Sequence, residues 1–164
     1  MRIFDDGTAR TILGDAIRKE LKHRPFELVA IALLPDHLHA IWTLPPGDAE
    51  YPDRWKSITA HFTTNWLASG GHESFVSSGY HKQRRRGVWQ PRFMEHTIRD
   101  EKDLHYHADY LHWNPVKHQH ANCPKDWPWS SFHRFVQSGS YPPDWGCANQ
   151  SPPDFGNANE DLIE

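Results

Sequence analysis

Leu34-Pro35-Asp36-His37-Leu38-His39-Ala40 sits between two β-rich apolar runs, and it decides how the rest of the chain is read. Pro35-Asp36 breaks the first run, residues 26–34, and residues 37–44 read as the strand that follows. Side chains two apart on a strand point the same way, so His37 and His39 share one face with Ile41, opposite Leu38, Ala40 and Trp42. Downstream, Tyr110-Leu111-His112-Trp113-Asn114 lies in a helical pattern. Residues four apart are neighbours on a helix, so a phenol and an amide share one side. Two imidazoles, an amide oxygen and a phenol are sufficient parts to hold a divalent metal and attack a phosphodiester.

Working outward, residues 8–24 carry Ile12, Leu13, Ala16, Ile17 and Leu21 at helical spacing. Residues 49–67 read as a second helix with Trp55, Ile58 or Thr59, Phe62 and Trp66 recurring at helical spacing. Residues 68–87 are rich in Gly, Ser and Arg and read as a loop. Residues 88–98 are expected to hold a strand, with Pro91 confining it to an edge or a break. Asp100 is placed to N-cap the next helix, with Asp103 in its first turn. Pro115 restricts Asn114, so that helix is expected to end near it. Helix, hairpin, helix, strand, helix is an α+β order: a small antiparallel sheet with helices on one face.

The length, 164 residues, suits one domain, assigned to 1–150, with an acidic tail at 151–164 expected to be disordered. No apolar run is long enough to cross a membrane. The first residues lack the apolar stretch of a secretory signal. Cys123 and Cys147 match no zinc spacing and read as a pair of reduced thiols. The net charge of −3 argues mildly against a nucleic-acid partner, but its distribution does not. All 18 Lys and Arg precede Phe135, leaving the first 134 residues at +2 (18 basic against 16 acidic side chains). Between Glu73 and Glu95 the only charged residues are Lys82, Arg84, Arg85, Arg86 and Arg92. Such a strip can contact phosphates even on an acidic chain, with Trp89 as a base-stacking surface. A solvated basic loop is the plainer alternative. Trp55 and Trp66 read as core, and the other tryptophans as core or stacking surfaces.

The chain resembles the REP-associated tyrosine transposases, a family of HUH single-strand DNA endonucleases. The resemblance is carried by Arg24-Pro25-Phe26-Glu27-Leu28, Pro35-Asp36-His37-Leu38-His39, Trp89-Gln90-Pro91-Arg92-Phe93 and Ile98-Arg99-Asp100-Glu101-Lys102-Asp103-Leu104. It continues through Asp109-Tyr110, Asn114-Pro115-Val116-Lys117-His118 and Asp126-Trp127-Pro128-Trp129-Ser130-Ser131. Each motif is weak alone; their order and spacing are specific.

The resemblance implies a ferredoxin-like sheet with the paired histidines on a central strand and the tyrosine helix packed over them. It implies Tyr110 as nucleophile, in preference to Tyr106 one turn earlier, and His37, His39 and Asn114 as ligands of Mg²⁺ or Mn²⁺. Attack would leave a 5′-phosphotyrosyl enzyme and a free DNA 3′-OH, whose reversal transfers strands without ATP. The implied partner is single-stranded or hairpin DNA of the REP type. A monomer in the bacterial cytoplasm, associated with the nucleoid and with no membrane contact, completes that picture.

Family members begin with an extra strand before the first helix. Here Met1 to Phe4 alone precede Asp5-Asp6-Gly7, too few residues for a strand of typical length: either the true start lies upstream, or the copy is truncated, or the strand is replaced. A domesticated or truncated copy that binds hairpins without cutting them is a rival reading. A hydrolase using activated water is another. His107 and His112 flank Tyr110 as possible proton carriers, and Glu95 and His96 could line the site or serve structure.

Overall fold

The computed structural model describes residues 1–79, 86–90 and 93–155. Its architecture is α+β: four helices and a two-stranded antiparallel sheet among the described residues. The chain groups into two compact units, one of Met1–Glu27 with Thr43–Phe93, the other of Leu28–Trp42 with Met94–Glu164.

In the first unit a 3-10 turn, Ile3–Asp5, precedes the first helix. Helix α1, Gly7–His23, starts where Asp6 accepts from the Thr8 and Ala9 backbone N–H groups at 2.6 and 3.4 Å. It buries Ala9, Leu13, Ala16 and Glu20, and the Glu20 carboxylate is answered by Arg24 Nε at 2.6 Å. Helix α2, Tyr51–Ala68, has Pro52 in its first turn and buries Arg54, Ile58, Phe62 and Trp66. The Arg54 guanidinium is almost wholly enclosed and meets Asp48 Oδ2 at 2.6 Å, Asp48 Oδ1 at 3.0 Å and the carbonyls of Arg24 and Pro25. Such pairing is what makes a buried charge tolerable.

The strand expected in residues 88–98 does not form among the described residues. The chain there is held in other ways. Ser74 N–H donates to Gly87 O at 2.8 Å, and a Cβ on Gly87 would lie 1.9 Å from Ser74 O, so only glycine permits the approach. Trp89 lies within 5.1–5.7 Å of the Phe4, Trp55 and Phe62 rings. Aromatic packing takes the place of a strand ladder.

In the second unit, strands β1, Glu27–Leu33, and β2, Leu38–Thr43, form the hairpin read from the sequence. Leu34 N–H to His37 O, 2.8 Å, closes the turn between them. The other edge of β1 is covered by residues 129–131. Leu33 N–H donates to Trp129 O and Ser131 N–H to Ile31 O, both at 2.8 Å, around an antiparallel bridge between Ala32 and Ser130. That pairing removes an open edge. Trp127 Nε1 adds a bond to Leu33 O at 3.0 Å.

Helix α3, Glu101–Lys117, is N-capped by Asp100, which accepts from Asp103 N–H at 2.8 Å. It packs Leu111 against Ala30, Ala32 and Leu34, with Ile41 and Phe135 beside them. The helix runs past the expected stop at Pro115 to Lys117. Proline removes only its own N–H from the ladder. The N–H groups of His118, Gln119 and His120 still find the carbonyls of Asn114, Val116 and Pro115, which closes the last turn. Helix α4, Phe132–Gln137, follows the bridging segment. Cys123 and Cys147, expected as free thiols, are joined in a disulfide across 24 residues. Residues 151–155 of the acidic tail have no helix or strand, yet Phe155 is buried, because it is the one aromatic ring that stretch has to bury.

Candidate active site

The hairpin and α3 bring His37, His39, Tyr110 and Asn114 together within the second unit. The His37 and His39 rings stand nearly perpendicular, 86°, with centroids 5.0 Å apart. Asn114 is completely buried and its Nδ2 lies 3.1 Å from His39 Nε2. An amide nitrogen only donates, so His39 Nε2 accepts and carries a lone pair directed at the amide. Two atoms beside it have no hydrogen-bond partner among the described residues: His37 Nε2 and Asn114 Oδ1, both buried. Buried polar atoms are rarely left so. A half-turn of the amide exchanges Nδ2 with Oδ1 and sets an oxygen beside His39 Nε2. Two imidazole nitrogens and an amide oxygen, two of the three without hydrogen-bond partners, fit a divalent cation of the Mn²⁺ or Mg²⁺ kind.

Tyr110 lies beside this cluster, its ring 6.1 Å from that of His39 at 88°. Only 3% of the residue is exposed. Phe155 packs edge-on against it at 5.5 Å and also meets Trp113 at 5.2 Å. Lys117 Nζ donates to Tyr110 Oη and lies 4.7 Å from the ring centroid. The motifs of the sequence did not single out Lys117 for the site, although a spacing of seven on a helix puts it on the tyrosine's side. Tyr106 is partly buried on the same cluster, with Lys102 Nζ 5.4 Å from its ring centre.

Two histidines of α3, His107 and His112, are buried in hydrogen-bonded networks. His112, fully buried, bonds Ser131 Oγ at 2.8 Å and Tyr141 Oη at 3.3 Å, and Tyr141 in turn donates to Asp109 Oδ1 at 2.6 Å. His107 bonds Asp103 O at 2.9 Å, and its ring stacks on that of His96 at 4.2 Å. His96, Asp103 and His107 are the one group of His, Cys, Asp and Glu among the described residues whose donor atoms lie within 4.8 Å of one another. Their geometry suits a clamp better than a metal. Imidazole lone pairs lie in the ring plane, and two rings only 11° from parallel do not converge on one point. The Asp103 carboxylate is already taken by Arg99 N–H (2.8 Å), Arg99 Nε (3.1 Å) and His96 Nε2 (2.9 Å). The Arg99 guanidinium, helped by His96, holds that carboxyl well below the usual range against the pull of burial. Asp103 thus ties residues 96–99 to the start of the helix that carries Tyr110.

Of the basic strip, Lys82, Arg84, Arg85 and Arg92 lie outside the described residues. Arg86 forms a two-pronged ion pair with Glu73, Nε to Oε2 at 2.6 Å. Trp89 is half-buried in the first unit's aromatic cluster rather than standing out as a stacking surface.

No family model matches the chain. Among curated proteins, the REP-associated tyrosine transposase of Escherichia coli K12 is 43% identical over 138 residues, 84% of this chain and 73% of that protein. A relative from Haemophilus influenzae Rd is 45% identical over 131 residues, 80% of this chain and 73% of its own length. A solved REP-associated tyrosine transposase bound to a REP hairpin superposes with a TM-score of 0.69 at 40% identity, covering 88% of this chain and 78% of that one. The fold and these likenesses define the class, the tyrosine transposases. Within it, the chain belongs to the REP-associated tyrosine transposase family.

Proposed function

We propose that the chain is a metal-dependent single-stranded DNA endonuclease and strand transferase that acts, as a monomer, on REP-type hairpins through a 5′-phosphotyrosine. The observation that carries this reading is the pair of partnerless buried atoms, His37 Nε2 and Asn114 Oδ1, beside His39 Nε2 and one helical turn from Tyr110. His37, His39 and Asn114 would hold the cation, which when bound polarises the scissile phosphate and offsets charge in the transition state. Tyr110 Oη forms a bond to phosphorus as the bond to the DNA 3′-oxygen breaks. The proton lost from Oη is balanced by the one gained at the 3′-OH. Lys117 donates to Oη and steadies it for attack. Because Tyr110 is buried, with Phe155 against its ring and Lys117 at its hydroxyl, its surroundings must open before a phosphate can reach Oη.

The test is a covalent-adduct assay. Protein is incubated with Mn²⁺ and a labelled single strand carrying a REP-like hairpin. An adduct that survives denaturation and disappears with chelator is expected. Hairpin binding with normal affinity and no adduct under any divalent metal would establish the binding-only reading, which the burial of Tyr110 favours.

Lys82, Arg84, Arg85, Arg86 and Arg92 are proposed to contact phosphates, with Trp89 anchoring the strip through its aromatic neighbours. Replacing Arg84, Arg85 and Arg86 together with Gln is expected to weaken hairpin binding. It should also flatten the dependence of log affinity on log salt by roughly 0.7 for each single-strand phosphate that is no longer neutralised. An unchanged slope in a salt titration would return the strip to a solvated surface. Arg86 is expected to contribute least, since a phosphate must displace Glu73 from it.

A further inference from the structure

We infer that Asp36 is a positioning residue for His37: it fixes the imidazole with hydrogen on Nδ1 and thereby presents the Nε2 lone pair for a cation. The inference rests on the metal-dependent reading of the site and adds a member to it outside the ligand set. Its basis is the turn that precedes β2. The bond from Leu34 N–H to His37 O folds residues 34–37 tightly, and Asp36 Oδ1 lies 2.8 Å from His37 Nδ1.

The direction of that bond follows from chemistry. A carboxylate at neutral pH has no hydrogen to give and only accepts, so the 2.8 Å bond runs from His37 Nδ1 to Asp36 Oδ1. In a neutral imidazole the other nitrogen then has no hydrogen, and His37 Nε2 is the buried atom that lacks a hydrogen-bond partner among the described residues. His39 Nε2 accepts from Asn114 Nδ2 as that amide stands, so both histidines present a lone pair, and only that of His37 is set by a carboxylate. Carboxylate partners of metal-binding imidazoles orient the ring and raise its basicity.

The plainer explanation is an incidental ion pair that stabilises the turn. Asp36 has 49% of its side chain exposed and His37 29%, so solvent screens the pair, and its contribution to folding is small. Losing it should leave the fold intact, which makes the two explanations separable.

The experiment uses the full chain without DNA. Mn²⁺ binding is measured by calorimetry and electron paramagnetic resonance for the wild type, Asp36→Ala, Asp36→Asn and His39→Ala. The His37 tautomer is read in the metal-free protein by long-range ¹⁵N–¹H correlation. Asp36→Ala is expected to weaken Mn²⁺ binding about 10- to 100-fold and to release the Nδ1–H tautomer. Asp36→Asn keeps an accepting oxygen, so it should retain the tautomer and fall between. It also serves if Asp36→Ala does not fold. Metal-free hairpin binding should be the same in the wild type and the two Asp36 variants. Wild-type affinity in Asp36→Ala, or hydrogen on Nε2 of wild-type His37, overturns the inference. If Mn²⁺ uptake is lost in His39→Ala yet unaffected by Asp36→Ala, the inference alone fails. If uptake does not depend on His39, the metal reading fails and takes the inference with it.

Discussion

Tyr110→Phe is expected to abolish the covalent adduct while leaving hairpin affinity within about twofold. The substitution is conservative where packing is concerned. The ring keeps its neighbours His39 at 6.1 Å and Phe155 at 5.5 Å, and it remains buried. What disappears is Oη, and with it the bond from Lys117 Nζ. A hydrogen bond to a charged group contributes roughly 1.5–3 kcal/mol, less where the lysine stays partly hydrated, so the fold survives. The chemistry has no second route if the oxygen that attacks phosphorus is this one. Tyr106→Phe is the control, because Tyr106 lies one turn earlier beside Lys102 and should form adduct normally. Denaturing gels of the labelled hairpin strand read both variants. Cleavage that persists in Tyr110→Phe without any adduct would transfer the chemistry to an activated water and sink the tyrosine mechanism.

Much of the site was legible in the sequence because its parts are local. The strand period puts His37 and His39 on one face, and the helix period puts Tyr110 and Asn114 on one side. In the structure the His37 and His39 rings lie 5.0 Å apart, although His37 precedes the first residue of β2, and Asn114 Nδ2 reaches His39 Nε2. The hairpin and the N-cap at Asp100 were legible for the same reason: each is fixed by residues within a few positions. The failures are non-local. Residues 88–98 have strand-like composition, but the approach of Gly87 to Ser74 and the aromatic neighbours of Trp89 override it. The link between Cys123 and Cys147 depends on how the chain folds back, which spacing does not reveal. The helix outlasted Pro115 because the carbonyls of its last turn found donors further along. Burial also changed the reading of two histidines. His107 and His112 read as ordinary helix-surface residues more readily than as proton carriers, yet both are buried and bonded, to Asp103 and to Ser131 and Tyr141. Of the basic strip, Lys82, Arg84, Arg85 and Arg92 lie outside the described residues.

His112 carries the second large effect, on stability. The side chain is sealed in the second unit between Ser131 Oγ and Tyr141 Oη, and burial, aided by the charge of Arg134, pushes it down to about 3. An unfolded histidine takes up its proton near the reference pKa of about 6.5. The sign follows. Above that value neither state binds the proton, and His112 adds no pH dependence. As pH falls below it, the unfolded chain gains a proton that the folded chain refuses, so stability declines, by up to about 1.4 kcal/mol per pH unit. The decline continues until the folded group titrates near 3. Denaturant unfolding of the wild type and of His112→Gln between pH 7 and pH 4 isolates the term. The glutamine variant, less stable at pH 7 because it fills the space and meets Ser131 less well, should show a shallower slope. The two curves should converge as the pH is lowered. Parallel curves would mean that water reaches His112 in the folded chain. The network of Asp109, Tyr141, His112 and Ser131 would then not be the closed polar core that holds the segment at residues 129–131 against β1.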